Sequence, residues 1–137
     1  MDETLNGGCL CGAIRYRVTV KPVDAGYCHC RVCQQASGAP SVAWASVPRA
    51  AFAYTAGAPK IFSSSSAGRR EFCPQCGTQL VFYSTEHPQW LDVTVASLDQ
   101  PQACPPAYHI WTDSKIPWLA TDDQLPQFAD GGPDGQA

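Results

Sequence analysis

No apolar run in the 137-residue sequence approaches the roughly 18 residues that would suggest a membrane-spanning helix. The first residues, Met1-Asp2-Glu3-Thr4-Leu5-Asn6-Gly7-Gly8, lack the basic stretch followed by an apolar stretch that marks a secretory signal. A soluble, cytoplasmic protein with reduced thiols is therefore expected, with no membrane partner. Positive charge is also scarce. Nine Lys and Arg against twelve Asp and Glu leave a formal charge of -3 and a pI near 5.4, which disfavours a nucleic-acid surface because that normally needs a concentrated positive field. No internal repeat is present. With 12 prolines and 11 glycines spread along the chain, long helices are not expected, and antiparallel strands joined by turns are the economical solution.

What the chain has in quantity is cysteine. Seven of eight sit in three clusters, Cys9-Leu10-Cys11, Cys28-His29-Cys30-Arg31-Val32-Cys33 and Cys73-Pro74-Gln75-Cys76. A disulfide framework fits poorly, because the thiols should stay reduced and neighbours in Cys-x-Cys cannot pair with each other without severe strain. At this length one domain is expected, small enough for a metal to supply much of its stability.

Ala13 to Val20 alternates apolar and polar residues with the period of a half-buried strand. Further strands are predicted at Ser41 to Val47, Ala51 to Tyr54, Lys60 to Ser63, Gln79 to Tyr83, Trp90 to Leu98 and Ala107 to Trp111, each rich in aromatic or β-branched residues. One short helix is expected at Arg31 to Ser37, with Gly38 as its stop. The Ser63 to Gly68 stretch reads as a flexible turn and Asp130 to Ala137 as a disordered tail. The fold class is thus mainly β.

Cys73-x-x-Cys76-Gly77 is a turn in which two thiolates converge on one metal while glycine permits the tight backbone that follows. Cys9-x-Cys11-Gly12 can supply the other half of a four-thiolate site, with buried reduced cysteines as the alternative. Cys28-x-Cys30-x-x-Cys33 places three thiols in one short segment, able to hold a metal with the opposite side open. A closed four-ligand zinc is structural, whereas three protein ligands leave a position for water, thiol or substrate. The other reading of this cluster is a second structural site completed by Cys104 or a histidine. Zinc is the default metal for thiolate-rich tetrahedral sites.

Gly8-Cys9-Leu10-Cys11-Gly12, Cys28-His29-Cys30-Arg31-Val32-Cys33 with Ser37-Gly38, Phe72-Cys73-Pro74-Gln75-Cys76-Gly77-Thr78, and His109-Ile110-Trp111 with Trp118 together resemble the glutathione-dependent formaldehyde-activating enzyme family, which includes the centromere protein V domain. The resemblance covers residues 5–119, leaving 120–137 as a C-terminal extension. It implies a β-tent-like fold of antiparallel sheets with zinc knuckles. It also implies two Zn²⁺ per chain, a structural zinc on Cys9, Cys11, Cys73 and Cys76 and a catalytic zinc on Cys28, Cys30 and Cys33.

The activity so implied is that of a carbon–sulfur lyase or adduct-forming enzyme acting on a small thiol–aldehyde conjugate such as S-hydroxymethylglutathione, with glutathione as co-substrate. The alternative is a non-catalytic, zinc-stabilised module that binds a thiol ligand or a protein. His29 can hydrogen-bond a thiolate or shuttle a proton, against use in packing. His109 reads mainly as structural, His87 as part of a turn, and Cys104 as a free, partly buried thiol. Trp44, Trp90, Trp111 and Trp118 read as core residues, with lining of an apolar recess as the alternative. Arg69-Arg70 reads as a solvated turn rather than as a site for glutathione carboxylates.

Overall fold

The computed structural model describes residues 4–132. Its strands are β1 (Leu5–Gly8), β2 (Arg15–Val18), β3 (Asp24–Cys28), β4 (Val42–Pro48), β5 (Phe52–Ala56), β6 (Lys60–Ser63), β7 (Gly68–Phe72), β8 (Gln79–Ser84), β9 (Trp90–Thr94) and β10 (His109–Ile110), with one α-helix, α1 (Arg31–Ser37). A three-stranded sheet has the order β1-β2-β5, and a seven-stranded sheet the order β10-β3-β4-β9-β8-β7-β6. The fold is mainly β with one short helix, as the sequence predicts.

Side-chain alternation explains how the sheets meet. In β2, Tyr16 and Val18 are buried while Arg15 and Arg17 point outward. They pack with Ala45 and Val47 of β4 and Leu91 and Val93 of β9 in the main core. Each fully buried Val or Leu contributes on the order of 1.5–3 kcal/mol of transfer free energy. The Tyr16 hydroxyl lies 2.7 Å from Ser97 Oγ, so the ring enters the core without stranding its polar end. The intervening residues of β4 and β9, Trp44, Ser46 and Asp92, necessarily face the other side of the large sheet.

The helix ends where expected, with Gly38 at φ 70° donating its amide to the Gln34 carbonyl. Other boundaries move for local reasons. The segment expected to run from Trp90 to Leu98 stops at Thr94 and closes into a 3₁₀ turn over Val95–Ser97. The strand expected over Ala107 to Trp111 shrinks to His109–Ile110, with Pro105 and Pro106, which lack amide donors, upstream and Trp111 at a left-handed φ of 56° directly after it. Ala51 belongs to a 3₁₀ turn rather than to β5.

Three strands carry weak sequence signals. β1 and β3 contain Asn-Gly-Gly and Asp-Ala-Gly, and exist because partners complete their ladders. β7 corrects the turn reading of Arg69-Arg70: the pair lies inside the large sheet between β6 and β8, and Arg70 is buried. The expectation of antiparallel pairing holds except at β10, which lies parallel to β3 with His109 opposite Tyr27 and Ile110 opposite Cys28.

Residues 121–132 come alongside β10, with His109 bridged in parallel to Gln127. His109 donates its amide to the Pro126 carbonyl, Phe128 donates to His109, and Trp111 donates to Asp130. The rest of the expected tail, residues 133–137, lies outside the described residues. No helix among the described residues is long and apolar enough to cross a membrane.

Candidate metal centres

The turn from β1 to β2 carries Cys9 and Cys11, and the turn from β7 to β8 carries Cys73 and Cys76. Their four Sγ atoms lie within 4.8 Å of one another. Tetrahedral zinc with Zn–S near 2.3 Å requires S···S separations of about 3.8 Å. Cys9 and Cys11 are 3.6 Å apart and Cys11 and Cys73 are 3.8 Å apart, so the thiols already stand at that spacing.

Backbone donors surround these sulfurs. The Ile14 amide donates to Cys9 Sγ at 3.2 Å, and the Gln75 and Cys76 amides both donate to Cys73 Sγ at 3.4 Å. Gly12 and Gly77, at φ 82° and 80°, supply the left-handed positions that fold both turns around the sulfurs. Thr78 ties the halves together: its hydroxyl accepts from the Leu10 amide at 3.0 Å and lies 3.2 Å from Cys76 Sγ. Those contacts with Thr78 pull the Cys76 thiol down to about 5, toward the thiolate a metal needs.

The second group, Cys28, Cys30 and Cys33, also has its Sγ atoms within 4.8 Å of one another. Cys28 ends β3, Cys30 caps α1 by accepting from the Cys33 amide at 3.3 Å, and Cys33 sits in the first helical turn. Hydrogen bonds from the Cys28 and Cys33 thiols hold Cys30 well below the ordinary thiol range. The same contacts to Cys30 and Cys33 push Cys28 far up. Three thiols this close ionise together only if a cation joins them, which suits a divalent metal.

No fourth Cys, His, Asp or Glu joins this group among the described residues. Cys104 is buried in the main core, a separate cluster from that of Cys28 and Cys33. His29 also turns elsewhere. Its ring is fully buried and its Nε2 lies 2.8 Å from His109 Nδ1, while His109 Nε2 lies 2.8 Å from Asp123 Oδ2. With Asp123 accepting from His109 Nε2–H, His109 Nδ1 accepts from His29 Nε2–H, and His29 Nδ1 is left as a buried acceptor with no partner. Burial, first of all, holds His29 below its usual range. His109, read as structural, is the centre of this relay.

The three thiols open onto a cavity of about 280 Å³, walled by Trp44, Arg70, Phe82, Asp92 and Tyr108 among others. Pairing register explains the wall: Arg70 on β7 stands opposite Phe82 on β8, Phe82 opposite Asp92 on β9, and Asp92 opposite Ser46 on β4. A single row across the sheet therefore runs from a cation to a carboxylate. At the cationic end Arg70 Nη2 lies 3.6 Å from Cys33 Sγ. At the other, Ser46 Oγ donates to Asp92 Oδ1 at 2.6 Å, and burial pushes Asp92 up to about 6 against that bond, with the Asp24 charge adding to the rise.

Sequence reasoning named all seven clustered cysteines, but missed Phe82 and Asp92 and set Arg70 aside as part of a turn. The signal available was the alternation Arg70-Glu71-Phe72, in which Glu71 faces the opposite side and accepts from the Tyr54 hydroxyl at 2.6 Å. Of the tryptophans read as core, Trp44 is buried against the cavity, whereas Trp118 is 73% exposed.

A family profile described as "Glutathione-dependent formaldehyde-activating enzyme" matches residues 4–114. A Halomonas elongata protein named "Putative glutathione-dependent formaldehyde-activating enzyme" is 26% identical over 129 residues, spanning 88% of this chain and 82% of that protein. A Schizosaccharomyces pombe protein named as an uncharacterized lyase is 32% identical over 79 residues, 58% of this chain and 57% of that protein. The crystal structure of a Rhodobacter sphaeroides protein shares the fold, with a TM-score of 0.59 at 18% identity over 90% of this chain and 98% of that one.

Proposed function

The chain belongs to the glutathione-dependent formaldehyde-activating enzyme family, and from that premise we propose that it is a zinc-dependent carbon–sulfur lyase or adduct-forming enzyme for a small thiol–aldehyde conjugate such as S-hydroxymethylglutathione. The observation that carries the reading is that Cys28, Cys30 and Cys33 converge at a cavity with no fourth ligand from the described residues, whereas Cys9, Cys11, Cys73 and Cys76 form a set of four. A zinc on the three thiols would stabilise a thiolate against reprotonation and polarise an aldehyde oxygen.

In the cleavage direction the adduct's hydroxyl loses its proton, the carbon–oxygen bond becomes a carbonyl, and the carbon–sulfur electrons leave with sulfur. The sulfur then regains a proton as free thiol. The same steps reversed make the adduct. Trp44 and Phe82 line the cavity with aromatic surface, which excludes water and raises the weight of every charge inside. Arg70, beside Cys33, offers fixed positive charge where sulfur and oxygen become negative. Asp92, on the far end of the same row, is suited to meeting the remote part of a substrate.

The test combines metal counting with turnover of S-hydroxymethylglutathione by wild type and Cys30→Ser. The expected variant keeps the fold and one zinc, and loses the second zinc and the activity. Wild-type protein that binds two zinc ions yet leaves the adduct's rate at the uncatalysed value would sink the lyase assignment.

A further inference from the structure

Arg70 is a charged residue held in an apolar setting beside the three thiols. It is 6% exposed, and its guanidinium lies 5.0 Å from the Phe82 ring centroid and 6.0 Å from that of Trp44. Nη1 donates to Gln79 Oε1 at 2.9 Å, Nη2 approaches Cys33 Sγ at 3.6 Å, and buried Nε has no hydrogen-bond partner. Among the described residues no carboxylate forms an ion pair with it. A buried cation without a carboxylate is costly unless another anion answers it. The groups beside Arg70 that become anionic when a metal binds are the cysteine sulfurs.

We infer that Arg70 is a specificity-determining residue that makes the three-thiol centre accept an anionic sulfur ligand in preference to a neutral one. The inference rests on the reading of Cys28, Cys30 and Cys33 as a metal centre. Three thiolates around a divalent ion leave one net negative charge, which repels an arriving thiolate. Arg70 cancels that charge from within hydrogen-bonding reach of Cys33. An incoming thiol gives its proton to solvent and meets a neutral site. Neutral ligands gain nothing comparable. Arg70 thus sorts ligands by charge and does not need to touch the reacting carbon, and the aromatic faces of Phe82 and Trp44 hold the guanidinium in place without neutralising it.

The experiment uses the full chain loaded with cobalt, as wild type, Arg70→Gln and Arg70→Lys. Each is titrated with glutathione, with 2-mercaptoethanol and with imidazole as the neutral ligand, following the cobalt absorption bands and counting metal in parallel. For Arg70→Gln the expected result is two metals bound, imidazole affinity within about threefold of wild type, and thiol affinity lower by at least about tenfold. For Arg70→Lys the thiol-to-imidazole preference stays within about threefold of wild type, because the charge remains.

Equal thiol affinity in wild type and Arg70→Gln overturns the inference. A parallel loss of thiol and imidazole binding also overturns it, since it marks a purely structural role. Should Arg70→Gln fail to fold, loss of the thiol preference in Arg70→Lys overturns it instead. Wild type that binds only one cobalt overturns the metal-centre reading beneath it, a distinct outcome.

Discussion

Cys11 meets Cys73 across 62 residues of chain, whereas Cys28 meets Cys33 across 5. The two groups offer the same ligand atom, yet they sit differently in the chain. A metal at the first group would join the small sheet's β1–β2 turn to the large sheet's β7–β8 turn, closing a long loop and holding a tertiary contact. At the second group the strand end and the helix cap already place the sulfurs, and a metal there closes only a short local loop. The difference teaches that ligand count and sequence span together separate a metal that folds the chain from one free to do chemistry.

The sharpest way to break the comparison is to remove one thiol from each group. Cys73→Ser should lose several kcal/mol of stability and its cooperative melting, because the metal's binding energy is there folding energy. Cys30→Ser should melt within roughly 10 °C of wild type with one metal fewer. Thermal unfolding with metal analysis compares them, and equal collapse of both variants would erase the distinction.

A second test lies beside the local group. His109→Ala removes the partner of both His29 and Asp123 and leaves a cavity, at a cost of about 2–4 kcal/mol in urea unfolding. It should weaken the second metal more than the first, because the relay braces the segment carrying Cys28 and Cys30.

Asp92 offers a pH signature of the cavity. Its folded-state value is raised to about 6 from 3.8, so between those values the native state holds a proton that the unfolded state has lost. Stability from this group therefore falls as pH rises from about 4 to about 6, and the deficit persists above. Asp92→Asn should abolish that slope and be more stable than wild type at pH 7.5 by up to about 2–3 kcal/mol. Denaturation of both proteins across pH 4 to pH 8 reads it, and an unchanged slope would contradict it.

Smaller effects calibrate the four-thiol clip. Thr78→Val deletes the hydroxyl that accepts from Leu10 and contacts Cys76, at about 1 kcal/mol, and should weaken the first metal alone. Smallest is Asp99→Ala, which removes the exposed pair with Arg15 Nη1 at 3.0 Å. It should cost less than about 1 kcal/mol, fading in high salt.

Much of the fold was legible where local pattern and structure agree. The alternation in β2, the Lys60–Ser63 strand and the Arg31–Ser37 helix with its glycine stop all follow from side-chain period and capping. β1, β3 and β7 were not legible, because residues such as Asn6, Gly7 and Asp24 are poor strand formers and the partner strands supply the ladder. The site divided the same way. Ligand chemistry travels with residue type and spacing, so the cysteines announce themselves; Arg70 and Asp92 become site residues only through the register of three strands.

The sequence by itself determined which atoms can bind metal and how they divide into four and three, because thiols are chemically distinctive and their spacing is covalent. It also determined the family and the mainly β class. Only the tertiary structure decided that Arg70 lies beside Cys33, that His29 turns to His109, and that Asp92 faces the same cavity as the thiols. The physical reason is that a strand's two faces look alike until pairing fixes which one is turned toward the core.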